Sequence, residues 1–301
     1  MGIQLTEYTQ SYTYTSKQPS WRSDYNALFI DSASELSDVC ILVLTGTSTQ
    51  LEDIAFFIRQ LVKTHFTIAA IERSVCGVRY LNLSPASDRE ATLKHFIHHL
   101  KTHYGIKKIV ILTHSYASLE IIRLLAKNPA SYKEHIDHII FANPVGFGKK
   151  SSYISHCFRF LFIHILSEYI LSIRLALNRE SKSFNTNMRN KRKLKALNSF
   201  FKKTLQDPLR TTKEIWDIVS CDIREQVKLL MQEHGYSFSF ILNKNDNLVS
   251  SSEVLVFLQQ LDSSSNPILF SGNHLDCLTD ERQVLTLINN IHKITARGSH
   301  A

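Results

Sequence analysis

Cysteine is scarce in this 301-residue chain. The five present, Cys40, Cys76, Cys157, Cys221 and Cys277, stand far apart, are odd in number and include no Cys-x-x-Cys pair. That argues against a disulfide framework and for buried thiols. An apolar leader is also lacking: the first residues are polar and aromatic, which points to a reducing, cytoplasmic setting. A bilayer-spanning run is missing as well. The most apolar stretch, residues 153–171, is broken by His156, Arg159, His164 and Glu168, too polar a set for a hydrocarbon core. No internal repeat or low-complexity tract is visible.

What is present is ordinary globular material, 44% hydrophobic and 21% charged, in a length that suits one large domain or a domain with an insertion. The net charge of +8 is unevenly spread. Between Gly148 and Arg210, 14 Lys and Arg face 3 Asp and Glu, a local net of +11. A neutral-to-acidic body therefore carries one basic segment.

Order along the chain gives the fold class. Residues 4–15 and 26–31 alternate in a Tyr- and Thr-rich pattern that predicts a leading antiparallel hairpin. Continuous apolar runs at 39–44, 66–71, 108–114, 138–142, 236–242 and 267–270 predict buried strands. Helical patterns fall between them, at 51–64, 87–103, 252–261 and 280–294. Strands alternating with helices specify a mostly parallel, doubly wound α/β sheet covered on both faces. The alternation stops between Ser151 and Gly235, where the pattern is helical throughout. The expected organisation is a core of residues 1–147 and 236–296, a helical cap or lid over 148–235, and a cloning-derived tail at 297–301.

The chain is organised around Lys108-Ile-Val-Ile-Leu-Thr-His-Ser-Tyr-Ala-Ser118. A buried strand runs into a helix carrying Leu119, Ile122, Leu125 and Ala126 at helical spacing, with Ser115 at the apex of the turn. A serine on so sharp a turn stands clear of the sheet, and the next backbone N–H, that of Tyr116, faces the same space. This is the geometry of a nucleophile elbow. Its flanks are Thr113 and Ala117 where the usual pattern has glycines, and Thr113 must find room elsewhere.

Ligand sites in a doubly wound sheet lie beyond the carboxyl ends of the strands. Three such ends deliver Ser115, then Asp246 in Asn243-Lys-Asn-Asp-Asn-Leu-Val249, then His274 in Gly272-Asn-His-Leu275. In that order and spacing, over about residues 35–148 and 236–296, the chain resembles the α/β-hydrolase superfamily of serine hydrolases. The resemblance implies Ser115 as nucleophile, His274 as its base and Asp246 as the orienting acid, with Asp276 the next candidate for that acid. It also implies an oxyanion hole from the backbone N–H groups of Thr47 and Tyr116. Thr45-Gly46-Thr47 stands where the family carries His-Gly-x. No metal and no organic cofactor is required. The reaction implied is hydrolysis of an ester or thioester through an acyl-serine intermediate. Acyl transfer by the same three residues, and a binding or sensing protein with little turnover, remain alternatives.

The cap is expected to lay Phe158, Phe160, Leu161 or Ile165 over an apolar acyl pocket. The basic run, with Arg189, Lys191, Arg192, Lys193 and Lys195, would face outward toward an anionic lipid surface or an acyl carrier. Without an aromatic platform it is not expected to bind nucleic acid. His95, His99 and His103 repeat along one helix face but lack a completing Cys or carboxylate. His114 reads as a packing residue beside the nucleophile, and Glu72-Arg73 as a bordering pair.

Overall fold

Apolar runs rich in Ile, Val, Leu and Ala build the centre of one eight-stranded sheet. The computed structural model describes residues 9–15, 22–31, 39–46, 51–64, 66–72, 85–148, 170, 208–246, 248–261 and 266–298. The strands are β1 (Thr9–Thr15), β2 (Arg22–Ile30), β3 (Val39–Leu44), β4 (Thr67–Glu72), β5 (Lys108–His114), β6 (Ile136–Ala142), β7 (Ser237–Asn243) and β8 (Ile268–Phe270). Their spatial order is β1-β2-β4-β3-β5-β6-β7-β8. Strand β2 pairs antiparallel with β1 and with β4, and every pairing from β4 to β8 is parallel. The doubly wound α/β sheet expected from the sequence is therefore present, with its hairpin at one edge.

The central strands are apolar on both sides because helices cover both faces. Side chains alternate between faces with a period of two. On one face lie Cys40, Leu42, Leu44, Ile109, Ile111, Ile139, Phe141, Phe238 and Phe240. The other takes Ile41, Val43, Ile68, Ala70, Val110, Leu112, Ile140 and Ile241. Helices α2 (Pro85–His103), α3 (Ala117–Lys127), α5 (Pro208–Ser220), α6 (Arg224–Gln232) and α7 (Ser251–Gln260) supply the first face. The second is covered by a 3-10 turn at Leu51–Ile54, by α1 (Ala55–Val62), by α8 (Asp276–Thr279) and by α9 (Glu281–Gly298). Helix α3 is buried on nearly all sides, Leu119, Ile121, Ile122, Leu124 and Leu125 included, since α2 and α6 pack around it.

Two short helices carry too few turns for a period to be read: α4 (Pro129–Lys133) and α8. Within the segment expected to form the cap, α5 and α6 are described. They lie against α2 and α3, and Ile223, Val227 and Leu230 join the large core cluster. Residues 149–169 and 171–207 of that segment, among them Phe158, Phe160, Leu161, Ile165 and the basic run at Arg189, Lys191, Arg192, Lys193 and Lys195, lie outside the described residues. So do Thr47 and Arg73. Among the described residues no helix is long and apolar enough to cross a membrane, and no group of three His, Cys, Asp or Glu side chains is placed to hold a metal ion.

Candidate active site

Strand β5 ends at His114, and α3 begins at Ala117. Only Ser115 and Tyr116 make the turn between them. Ser115 is forced to φ +56°, the left-handed region, while Tyr116 at φ −57° is already helical. A serine in that region carries local strain that the surroundings must hold. Three bonds do so. The Ser115 N–H donates to the Ala142 carbonyl (3.1 Å), anchoring the turn to β6. The Ser115 carbonyl accepts from the Ser118 N–H (3.1 Å) and faces the Ser118 hydroxyl at 2.7 Å. That hydroxyl also accepts from the Val145 N–H at 3.1 Å, fastening the elbow to the loop after β6.

The flanking residues fit this crowding. Ala117 and Thr113 are fully buried, and the Thr113 hydroxyl reaches the Ile140 carbonyl at 3.5 Å, so its extra bulk sits toward β6. Gly46, just after β3, matters for its missing side chain. A Cβ there would stand 3.0 Å from both the Ser115 Cβ and the His114 Nδ1. The loop after β3 thus passes close to the serine, and a side chain there would force its neighbours to give by a few tenths of an ångström.

Strand β7 ends at Asn243, and the turn beyond it presents Asp246. Its Oδ1 accepts the N–H groups of Leu248 (2.8 Å) and Val249 (3.0 Å), which orients the carboxylate. The other oxygen, Oδ2, lies 2.6 Å from His274 Nδ1. The acid is sealed, with its side chain 1% exposed, whereas the imidazole is 11% exposed and Ser115 8%. The histidine and serine thus keep a small exposed surface that the carboxylate lacks. Asp276 serves the backbone instead. Its Oδ2 accepts the Asn273 N–H (2.8 Å) and closes the histidine turn at the start of α8. The carboxylate paired with His274 is Asp246.

The histidine loop hangs on two side chains that sequence reasoning did not single out or read only as packing. Asn143, at φ +46° just past β6, donates from Nδ2 to the His274 carbonyl (2.8 Å). Its Oδ1 accepts the Asn243 N–H (2.8 Å). One amide thus ties β6, β7 and the histidine loop together. The second is His114, whose Nε2 donates to the same carbonyl at 2.9 Å. Burial, with a smaller effect from His274, pushes the His114 imidazole down to about 3, so it is neutral and carries its proton on Nε2. The Asn243 side chain, for its part, donates to the Asn273 carbonyl.

Ser115 and His274 share this corner of the sheet through His114, whose ring lies 4.7 Å from that of His274. No hydrogen bond joins the Ser115 hydroxyl to His274. Such bonds often tighten only once substrate is seated.

No family model and no curated protein matches the chain, while its fold is widely shared among solved structures. A carboxylesterase of the ammonia-oxidizing thaumarchaeon Nitrososphaera gargenis superposes with a TM-score of 0.67 at 13% identity, over 95% of this chain and 100% of that one. An α/β hydrolase from a Medee basin deep-sea metagenome gives 0.66 at 17% identity, over 95% and 97%. The enol-lactonase of Burkholderia xenovorans gives 0.62 at 11% identity, over 90% and 97%. The chain has the α/β-hydrolase fold.

Proposed function

We propose that this α/β-hydrolase-fold chain is a serine hydrolase of carboxylic esters or thioesters. The observation that carries the reading is the 2.6 Å Asp246–His274 contact at the same sheet edge as the strained Ser115 elbow. A serine hydroxyl is a poor nucleophile until a base removes its proton. In this reading His274 Nε2 takes the proton as Ser115 Oγ bonds to the substrate carbonyl carbon. Asp246 fixes the tautomer through Nδ1 and steadies the imidazolium. The carbonyl oxygen, now anionic, meets the amide N–H of Tyr116 and that of Thr47. His274 then gives its proton to the departing alcohol or thiol, leaving an acyl-serine. Water activated by the same base attacks that intermediate and releases the acid. The chemistry needs no metal.

The finer proposal is an apolar acyl chain under residues Phe158, Phe160, Leu161 and Ile165, with the basic run meeting an anionic lipid surface or an acyl carrier. Supporting it are the density of large apolar residues in 153–171 and the local net charge of +11. Each buried methylene would contribute about 0.8 kcal/mol, so rates on p-nitrophenyl esters should climb from acetyl to longer chains. A preference for acetyl would refute the apolar pocket.

The decisive experiment on the chemistry is a fluorophosphonate probe, which should label Ser115 in the wild type and leave the Ser115→Ala protein unmodified. A second reading, a binding or sensing protein with little turnover, draws on the missing Ser115–His274 hydrogen bond. Folded wild type that resists the probe would favour it.

A further inference from the structure

The sheet face covered by α2, α3 and α5 holds buried charges that the proposed chemistry does not use. Arg89 of α2, only 7% exposed, sends Nη1 to Glu120 of α3 at 3.1 Å. Its Nη2 pairs with Glu214 of α5. Both carboxylates are as deeply buried as the guanidinium. The same guanidinium stacks 4.7 Å over the ring of Tyr116, the residue that follows the nucleophile. At the far end of that ring the phenol O–H donates to Asp217 of α5 at 2.7 Å, and Arg123 of α3 approaches the other Asp217 oxygen at 3.6 Å. Burial raises the Tyr116 phenol well above its usual value, with Arg89 pulling the other way, so the phenol keeps the proton it donates.

Apolar side chains would dock α5 on α2 and α3 at least as firmly, since buried ion pairs barely offset their own desolvation. What charges add is a fixed geometry: a planar guanidinium forks to two carboxylates on two different helices and stacks on a ring at once. The ring so held belongs to a residue whose amide is one of the two oxyanion donors in the serine-hydrolase reading.

We propose that Arg89, Glu120, Glu214 and Asp217 act as a positioning clamp that ties the Tyr116 side chain to α5, so that the helix returning from the basic segment sets where the Tyr116 amide points. This inference rests on the serine-hydrolase reading of Ser115 and deepens it. Tyr116 is one residue from the strained apex, and the α3 N-terminus turns on its φ and ψ. A ring held from both sides leaves that peptide no latitude to rotate, and an oxyanion donor works through orientation fixed before the reaction. The side chain of Tyr116 and Asp217 would thus be positioning residues acting through a backbone amide.

The test uses two mild variants, Tyr116→Phe and Asp217→Asn, with Asp217→Ala alongside, in the full chain. The readouts are the rate of fluorophosphonate labelling of Ser115, and kcat and KM on a p-nitrophenyl ester. Melting temperatures set the assay well below unfolding. Tyr116→Phe and Asp217→Ala should each slow labelling and lower kcat roughly tenfold with KM within about twofold, the pattern of a lost transition-state interaction. The pair together should lose little more than either alone, because both remove one hydrogen bond. Asp217→Asn, which still accepts that bond, should recover most of the loss. Labelling and kcat within twofold of wild type in folded Tyr116→Phe, or a change confined to KM, would overturn the clamp while leaving the hydrolase reading standing. A wild type that never labels would overturn both.

Discussion

The serine and the histidine–acid pair are delivered to one sheet edge by opposite means. On the serine side, regular structure does the holding: β5 and α3 meet in a two-residue turn, and backbone strain at Ser115 is enforced by neighbours packed to full burial. On the histidine side there is no helix or strand at the critical position. Loops after β6, β7 and β8 are tied to one another and to β5 by side-chain hydrogen bonds of Asn143, Asn243, Asp246 and His114, and Asp246 and Asp276 also brace their own loops. In the serine-hydrolase reading, a nucleophile must be placed by a stiff element because its attack angle is set by the backbone, and a base swinging between serine and leaving group is better held at its carbonyl and Nδ1, leaving the ring edge clear. The comparison predicts that the histidine side breaks through single polar atoms and the serine side through charge burial and packing.

The largest effect belongs to the histidine side. Asp246→Asn should lower turnover roughly 10⁴-fold with the fold intact, because the amide presents the wrong partner to Nδ1 and the tautomer is lost. Circular dichroism with steady-state kinetics checks it; activity within a few fold of wild type would move the acid role elsewhere. On the serine side the matching insult is Arg89→Ala, which takes the guanidinium away from Glu120 and Glu214. Removing one member of a buried ion network typically costs about 3–5 kcal/mol, so denaturant unfolding should register a loss of that size. If Arg89→Ala proves as stable as wild type, the network contributes no net stability, and the contrast between the two sides falls.

Next in size is Asn143. Replacing it by Ala removes the bonds to the His274 carbonyl and the Asn243 N–H and places a Cβ residue without a polar partner at φ +46°. The left-handed backbone alone costs an ordinary residue about 1–2 kcal/mol, and each hydrogen bond about 1 kcal/mol. A loss near 3 kcal/mol is expected in denaturant unfolding, roughly the sum of those terms. Asn143→Gly, free at positive φ, should recover about 1 kcal/mol of it but none of the lost turnover. A full recovery of turnover by glycine would show that the amide does not position the histidine loop.

The same contrast explains what the sequence made readable. The succession of strands and helices, with its leading hairpin, follows from long apolar periods in runs such as Val39–Leu44 and Lys108–His114, where many residues repeat one message. Ser115, Asp246 and His274 could be singled out as candidates because strand ends are places the pattern can point to. Asn143 was not, since an Asn before Pro144 looks like ordinary turn composition, and its meaning lies in a carbonyl 131 residues further on. Arg89 and Glu214 were hidden for a similar reason. Nothing in the sequence around either residue marks it, and only the packing of α5 on α2 buries them against each other 125 residues apart. His114 read as packing, which its full burial agrees with, but the bond to His274 was not visible from its neighbours in sequence.

The smallest effect is also the one that joins the two sides, because His114 ends the serine strand and holds the histidine loop. Its imidazole is buried and lowered from 6.5 to about 3, chiefly by burial and secondarily by His274, with Asp246 pulling the other way. Unfolding returns it to its ordinary value, so the unfolded chain binds a proton more readily than the folded one. Stability from this group is therefore complete above about pH 6.5 and drains away as pH falls toward 3, at up to about 1.4 kcal/mol per pH unit. Between pH 7 and pH 5 the loss should be about 2 kcal/mol. The pH dependence of the whole chain sums many groups, so the clean measurement is a difference. His114→Asn keeps a short N–H donor for the His274 carbonyl and cannot gain a proton, and its unfolding free energy should fall less steeply than wild type over that interval. Parallel slopes would mean that His114 is protonated in the folded protein without penalty. Its Nε2 would then donate to the His274 carbonyl in either state, and the tie between the serine strand and the histidine loop would be indifferent to pH.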